Sequence, residues 1–300
     1  MMIQHRRALH QIPELSWDVP ETAAYIKTVL QDLNCQVFFP LENAVCAFFD
    51  FGKDSTVAFR SDMDALPIAE ATGLPFASRH EGRMHACGHD GHMAMALGLA
   101  EHVSTLHDNA QNVLIIFQPA EETVGGAKPL CDTGFLETYR VNRIYGLHLW
   151  PGLPKGVVGS REGGMMSRSC EFTVEIKGKS AHIAKASEGV DAIAAGTEFY
   201  RRAMAMEAAL PEHVFRLLKF GKFESGVVRN ALSAHTHMEG SLRAFQDEIF
   251  DSLAEGLKTL CREVEAQYSC TVRLHLNSGY PAVLNPEPLY NKVKTCVGFA

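Results

Sequence analysis

The stretch His85-Ala-Cys-Gly-His-Asp-Gly-His92 holds three histidines, a cysteine and an aspartate within eight residues. Sequence so rich in donors is costly to bury unless its polar groups find partners. Imidazoles beside a thiolate suit a transition metal such as zinc, manganese or cobalt. Cys87 and His89 are two residues apart, so an extended segment would turn both to one face and let them share an ion. His92 falls three residues later, where the pattern predicts the start of a helix, and is expected to face elsewhere. A polar loop around a buried thiol would read the same over so short a window, so the flanking sequence has to decide.

Working outward, Thr56 to Phe59 reads as a strand that empties into Arg60-Ser-Asp62-Met-Asp64-Ala-Leu-Pro67. Met93 to Leu106 repeats Ala, Met and Leu at helical spacing, the pattern of a buried helix. Val113 to Phe117 is an apolar run of strand length ending in Gln118-Pro-Ala-Glu121-Glu122, and Arg143 to Leu149 is the next strand, with His148 at its far end. Three times, then, an apolar strand leads into carboxylates or a histidine. Open α/β sheets bind ligands outside the carboxyl ends of their strands. Asp62, Asp64, Glu121, Glu122 and His148 are therefore expected to converge with Cys87 and His89 in one crevice. Singly, each has a plainer reading: an Asp-x-Asp is commonly a turn or cap, and a Glu pair is commonly solvated. His148, between Leu147 and Leu149, would commonly be a satisfied core histidine. Their convergence makes them a candidate metal site.

Earlier in the chain, residues 3–11 form a short helical pattern stopped by Pro13, and Pro20-Glu21 opens a second helix with proline in its first turn. Cys35 to Phe39 and Val45 to Phe51 read as strands. Composition changes near residue 169. Glu171 to Lys177 alternates like a half-exposed strand, Gly189 to Met206 is an alanine-rich helix, and Val214 to Phe223 and Ala234 to Phe245 are strands. Glu248 to Tyr268 carries Ile249, Leu253, Leu257, Leu260 and Val264 in helical register, and Cys270 to Leu276 closes the set. The order β-α-β-β-α-β is that of the ferredoxin-like unit, predicted here as an inserted second domain over 169–283. Leu289 to Val297 starts a helix expected to return to the first domain, giving a first domain of 1–168 with 284–300.

Composition narrows the function classes. With 300 residues, 46% hydrophobic and 21% charged, the chain is globular and large enough for two domains. A net charge of −7, with both signs interspersed, argues against a nucleic-acid or acidic-membrane partner. No apolar run approaches membrane-spanning length, and Met1 to His10 lacks the apolar core of a signal peptide. The eight cysteines are scattered without a CxxC, which suits reduced thiols and a cytoplasmic protein. A thiol redox role for Cys87 is disfavoured, since no second cysteine lies nearby in sequence.

Several of these stretches together resemble the M20 family of metal-dependent amidohydrolases, in its aminoacylase and hippurate hydrolase-like branch. They are Leu9-His10-Gln11-Ile12-Pro13-Glu14-Leu15, the 60–67 and 85–92 segments, Phe117-Gln-Pro-Ala-Glu-Glu122, Gly146-Leu-His-Leu149, Lys177-Gly-Lys-Ser-Ala-His182 and Glu239-Gly-Ser-Leu-Arg243. Residues 121–130 and Tyr268-Ser-Cys270 most resemble the bacterial N-acetyldiaminopimelate deacetylases of that branch. The resemblance implies an α/β metallohydrolase domain with a mixed central sheet, and a ferredoxin-like lid through which two copies form a homodimer. It implies one or two divalent ions (Zn, Mn or Co) on Cys87, His89, Glu122 and His148. Glu121 matches the general base, and Asp62 and Asp64 match the carboxylates beside the metals. His182, Asn230 and Arg243 match lid residues that bind substrate, the first reaching a site that is its own or a partner subunit's. The implied reaction is hydrolysis of a small N-acyl amino acid, N-acetyl-diaminopimelate in lysine biosynthesis. A broader N-acyl-amino-acid or hippurate amidohydrolase is the alternative. The resemblance also implies a further histidine ligand, and a closing stretch of sheet and helix, beyond Ala300; a chain without them would be a metal-binding, non-catalytic fragment on the third reading.

Overall fold

The uninterrupted apolar run expected at 113–117 becomes β4 (Asn112–Gln118), buried at every position at the centre of a five-stranded sheet. In the computed structural model, residues 1–123, 125–277 and 279–297 are described; Val124 of the 121–130 stretch, Ser278, and the last three residues of the 284–300 segment lie outside them. Two compact units divide the chain, Met1–Gly152 and Leu153–Ala300.

In the first unit, α1 (Met2–His10) and α2 (Pro20–Gln31) precede β1 (Gln36–Phe38), β2 (Val45–Phe49) and β3 (Thr56–Asp62). Then come α3 (His89–Val103), β4, α4 (Ala127–Asp132), α5 (Phe135–Thr138) and β5 (Val141–Gly146). The strand order is β1-β2-β4-β3-β5. β1 and β2 run antiparallel to their neighbours while β3, β4 and β5 are parallel, so the sheet is mixed. Period-two alternation explains why β4 has no polar face. Val113, Ile115 and Phe117 pack with Leu9, Ile26, Leu30, Met93 and Leu97 of α1, α2 and α3. Leu114 and Ile116 pack on the opposite face with Leu130 and Phe135. Because β3, β4 and β5 are parallel, their carboxyl ends share one edge, which is where such sheets bind ligands.

Local details differ from the sequence expectation in four places. Strand β3 continues through Asp62, which pairs with Gln118 of β4, so Asp62 ends the strand instead of following it. β5 stops at Gly146 and leaves His148 in the segment after it. Two short helices, α4 and α5, fill a region where none was predicted, and cover the second face of the sheet. Finally, His89 is not extended: Gly88 adopts a left-handed conformation (φ +91°) and α3 begins at His89 itself. Glycine is suited to that backbone because it has no Cβ to collide.

The second unit contains β6 (Gly163–Met166), β7 (Arg168–Lys177), α6 (Ala192–Ala208), β8 (Arg216–Ser225), β9 (His235–Ala244), α7 (Asp247–Tyr268), β10 (Thr271–Leu276), β11 (Val283–Asn285) and α8 (Glu287–Val297). β7, β8, β9 and β10 form an antiparallel sheet in the order β10-β7-β9-β8, and α6 and α7 complete the expected βαββαβ order. Alternation holds along β9: Thr236, Met238, Gly240, Leu242 and Ala244 are buried, while His235, Glu239 and Arg243 are exposed. Leu253, Leu257, Leu260 and Val264 of α7 meet Phe172, Val174, Phe199 and Leu242 in the core of this unit. Asp191 caps α6, its carboxylate accepting from the Ile193 and Ala194 N–H groups. No helix among the described residues is long and apolar enough to cross a membrane.

Candidate metal centre

At the shared carboxyl edge of β3, β4 and β5, ligand atoms from four segments come together. Cys87, His89 and His148 form one group whose donor atoms lie within 4.8 Å of one another; His89, Glu121 and Glu122 form a second, and Asp62, His89 and His92 a third. His89 belongs to all three, and it is 1% exposed. The left-handed turn at Gly88 brings Cys87 and His89 together, the result expected of an extended pair but reached by another backbone path.

Hydrogen bonds to main-chain carbonyls orient both candidate imidazole ligands. The Nδ1–H of His89 donates to the Asp64 carbonyl at 2.7 Å, and that of His148 donates to the Leu149 carbonyl at 2.7 Å. Each ring is thereby left with a bare Nε2 lone pair, the arrangement by which outer contacts prepare histidine for a metal. His148 Nε2 lies 3.4 Å from the Cys87 Sγ. His89 Nε2 is buried with no hydrogen-bond partner, as is Glu122 Oε1. Around His89 Nε2 stand Asp62 Oδ2 at 3.7 Å, Glu122 Oε1 at 3.7 Å and Glu121 Oε2 at 4.0 Å. Those separations are too long for hydrogen bonds. They resemble the ligand-to-ligand spacing around a shared ion, where two donors each about 2.1 Å from a tetrahedral metal lie about 3.4 Å apart. An orphaned imidazole nitrogen among carboxylates and a thiol is a donor set that fits a divalent cation.

The electrostatics agree. Burial, a hydrogen bond to Glu122 and the charges of Glu122, Glu121 and Asp62 push the Cys87 thiol up to about 12; a thiolate here needs a cation to offset its neighbours. Burial and the adjacent Glu122 raise the Glu121 carboxyl above its ordinary range, a shift in the direction that suits a base working near neutrality. Asp62 goes the other way. Burial alone would raise it, but the His92 hydrogen bond and the charges of Arg60, His89 and His92 hold its carboxyl well below the usual range.

Asp64 has a different task. Its two carboxylate oxygens accept the Glu121 N–H at 2.8 Å and the Glu122 N–H at 3.0 Å. Ala120, just before them, is fully buried with φ +56°, an unusual backbone for a residue with a Cβ. It is held by its own N–H to the Ser16 carbonyl and by Gly126 N–H to its carbonyl. This turn at the end of β4 presents both glutamate amides to Asp64. With its carbonyl on His89 and its carboxylate on the 121–122 backbone, Asp64 ties two of the donor segments together.

Two residues of this edge were not anticipated. Arg60 donates from Nη1 to Asp62 Oδ2 at 2.7 Å and from Nε to Gln118 Oε1 at 2.9 Å. His92, expected to face elsewhere, lies with His89 instead: their ring centroids are 5.3 Å apart. Its Nδ1 is 2.6 Å from Asp62 Oδ1. The signal was present in the spacing, because residues i and i+3 share a helix face once α3 starts at His89. His85, the remaining histidine of the octet, is buried outside the three donor groups, and burial lowers it to about 4.

The candidate substrate residues of the second unit, His182, Asn230 and Arg243, separate into two places. His182 caps the 3-10 segment Ile183–Glu188, its Nδ1 accepting the Ala184 N–H at 3.2 Å. It pairs with Ala231, and the Ile183 N–H donates to the Asn230 carbonyl, so His182 and Asn230 are neighbours. Arg243 is near the other end of β9, beside Ser241 and Glu171, roughly 25 Å along the strand at ordinary strand rise. Asn230 and Arg243 of one chain therefore stand well apart, and all three side chains are exposed.

A mixed α/β fold with carboxylates, a thiol and paired imidazoles at one sheet edge fits a metal-dependent hydrolase. The chain belongs to peptidase family M20/M25/M40, which residues 58–298 match, and is a metal-dependent amidohydrolase of that family. It is 35% identical to an N-acetyldiaminopimelate deacetylase of Lacticaseibacillus paracasei, over 98% of this chain and 79% of that protein. A protein of the same name from Anoxybacillus flavithermus is 34% identical over 97% of this chain and 78% of its own. Among solved structures, a putative aminohydrolase from methicillin-resistant Staphylococcus aureus superposes with a TM-score of 0.93 at 33% identity, covering 99% of this chain and 80% of that one. A Bacillus subtilis dinuclear metal-binding peptidase of the M20 family gives 0.81 at 31% identity, covering 99% and 78%.

Proposed function

We propose that this protein removes the acetyl group of N-acetyl-diaminopimelate, releasing acetate and the free diamino acid in lysine biosynthesis. The orphaned Nε2 of His89, ringed by Asp62, Glu121 and Glu122 oxygens, carries the reading. The names of its relatives supply the substrate.

In this reading Cys87, His89, Glu122 and His148 hold one or two divalent ions, zinc, manganese or cobalt. A cation bound there polarises the scissile carbonyl and acidifies water. Glu121 takes a proton from the attacking water onto a carboxylate oxygen and returns it to the leaving amine nitrogen. Asp64 keeps the Glu121 and Glu122 backbone in place for this, and Asp62, itself held by Arg60, stays ionised beside His89. Residues 1–168 and 284–300 are assigned to the catalytic domain and 169–283 to a lid that also joins two copies. Since Asn230 and His182 stand at one end of a lid and Arg243 at the other, a homodimer offers a natural division of labour. Arg243 of one protomer would grip the substrate carboxylate, Arg being suited to bidentate pairing, while His182 and Asn230 come from its partner. The protein is assigned to the cytoplasm.

The test is deacetylation of N-acetyl-diaminopimelate, N-acetyl-methionine and hippurate by the purified chain, with and without added zinc, manganese or cobalt. Metal-dependent turnover with a preference for the first substrate supports the proposal. Equal or better hydrolysis of hippurate would replace it with a broader amidohydrolase, and metal binding without any turnover would leave a metal-binding protein.

A further inference from the structure

His92 has both ring nitrogens committed. Its Nε2 is 2.8 Å from the Leu149 N–H. A backbone amide can only donate, so Nε2 accepts and the ring proton sits on Nδ1, which donates to Asp62 Oδ1 at 2.6 Å. This geometry withdraws His92 from the ligands of the third donor group, because its inward lone pair is spent on the amide. The amide belongs to the residue after His148. The carbonyl of the same residue, Leu149, accepts from His148 Nδ1, and the His92 and His148 rings lie 4.6 Å apart. The Leu149 side chain also settles over the start of α3: a Cβ at Gly91 would come within 2.6 Å of Leu149 Cδ1, and one at Gly88 within 3.3 Å.

We propose that His92 is a positioning residue, a two-ended clamp that locks the segment after β5 onto α3 and thereby aims His148 at Cys87. The clamp starts at Arg60, runs through Asp62 and His92 to the Leu149 amide, and ends at the His148 imidazole. His148 needs it because it is exposed and lies beyond the last hydrogen-bonded residue of β5, with no helix or strand of its own to hold it. The two donor histidines of the site are thus prepared differently: His89 by its place in α3 and the Asp64 carbonyl, His148 by His92. Single-glycine spacing at positions 88 and 91 leaves room for Leu149 to dock. This inference rests on the reading of Cys87 and His148 as metal ligands.

Two substitutions separate the ends of the clamp. His92→Gln reaches the Nε2 position and keeps an acceptor for Leu149, while losing the Nδ1 donor. His92→Asn keeps a donor for Asp62 and cannot reach Leu149. Cobalt titration of the metal-free protein, followed by the thiolate-to-cobalt absorption of Cys87 and the visible bands that report coordination number, reads the consequence. H92N is expected to bind cobalt about 10- to 100-fold more weakly with altered visible bands, the usual cost of losing an outer contact, and H92Q, which keeps the Leu149 end and gives up only the Asp62 end, to lose clearly less. Hydrogen exchange in the metal-free wild type is expected to show the Leu149 amide protected, and exposed in H92N. Equal losses in the two variants, or a Leu149 amide that exchanges freely in the wild type, overturn the clamp, the second result without need of any variant. A wild type that binds no cobalt through a thiolate overturns the metal reading instead, a distinct outcome.

Discussion

On the outer face of the β10-β7-β9-β8 sheet, in the unit proposed as a lid, His237 places Nδ1 2.6 Å from Glu175 and Nε2 2.6 Å from Glu239. His235 bonds the same Glu175, and Lys222 stands near Glu239 and Glu224. At the carboxyl edge of the first sheet, His89 is also surrounded by carboxylates, yet its Nε2 makes no hydrogen bond and is fully buried. The two clusters use the same residue types. In the lid, solvent and mutual pairing satisfy every proton of the His237 ring, and nothing is left to bind. In the crevice, the scaffold buries the His89 Nε2 and the Glu122 Oε1 without a hydrogen-bond partner and holds them 3.7 Å apart, too far to pair with each other. Unmet bonding capacity distinguishes a site from a solvated charge ladder; composition does not.

The sharpest test of that contrast is Glu121→Gln. It should lower kcat by about 100- to 10,000-fold, the usual share of a general base, while metal content per chain stays the same. Near-normal turnover would remove Glu121 from its role. Its lid counterpart, Glu175→Gln, should leave kcat unchanged.

Metal removal comes next. Dialysis against a chelator should abolish activity, with zinc, manganese or cobalt restoring it. A cation at 100 times its Kd should stabilise the fold by about 2.7 kcal/mol. Calorimetry with and without the ion checks this, and His89→Ala should erase the difference; an unchanged shift in that variant would break the claim that His89 is the common ligand.

Asp64→Ala probes the scaffold. The carboxylate accepts two backbone amides in a buried setting, and charged hydrogen bonds contribute about 1.5–3 kcal/mol each, so denaturant unfolding should report a loss of about 3–5 kcal/mol. The corresponding lid change, His237→Gln, should cost under about 1 kcal/mol, as exposed pairs do.

The smallest effect is a pH dependence confined to the lid. The hydrogen bonds that its ring N–H groups donate to Glu239 and Glu175 raise His237, so its contribution is complete below the unfolded histidine value and fades as pH rises through the folded one. Burial would raise Glu175, but the His237 and His235 hydrogen bonds lower it, so its contribution is complete above the unfolded glutamate value and fades as pH falls through the folded one. Protection of β9 amides should therefore peak between about pH 4.3 and 6.5 and decline on either side, and H237Q should flatten the alkaline decline. A profile unchanged by H237Q would show the ladder to be inert.

Much of this was legible in the chain itself. Periodicity alone placed β4, α3, β7, β9 and α7, because apolar burial repeats every two residues in a strand and every 3.6 in a helix. The run of apolar strands leading into Asp62, Glu121 and His148 was enough to predict one crevice. Sequence could not tell that Gly88 would turn left-handed, that α3 would open on His89, or that His92 would consequently share its face. Nor could it tell that Asp64 would bind two backbone amides. The last of these depend on where a polar side chain finds its partner far along the sequence, as Asp64 does with Glu121 and His92 with Leu149. Local pattern carries the burial of side chains, whereas hydrogen-bond partners are settled only when the sheet brings distant loops to one edge.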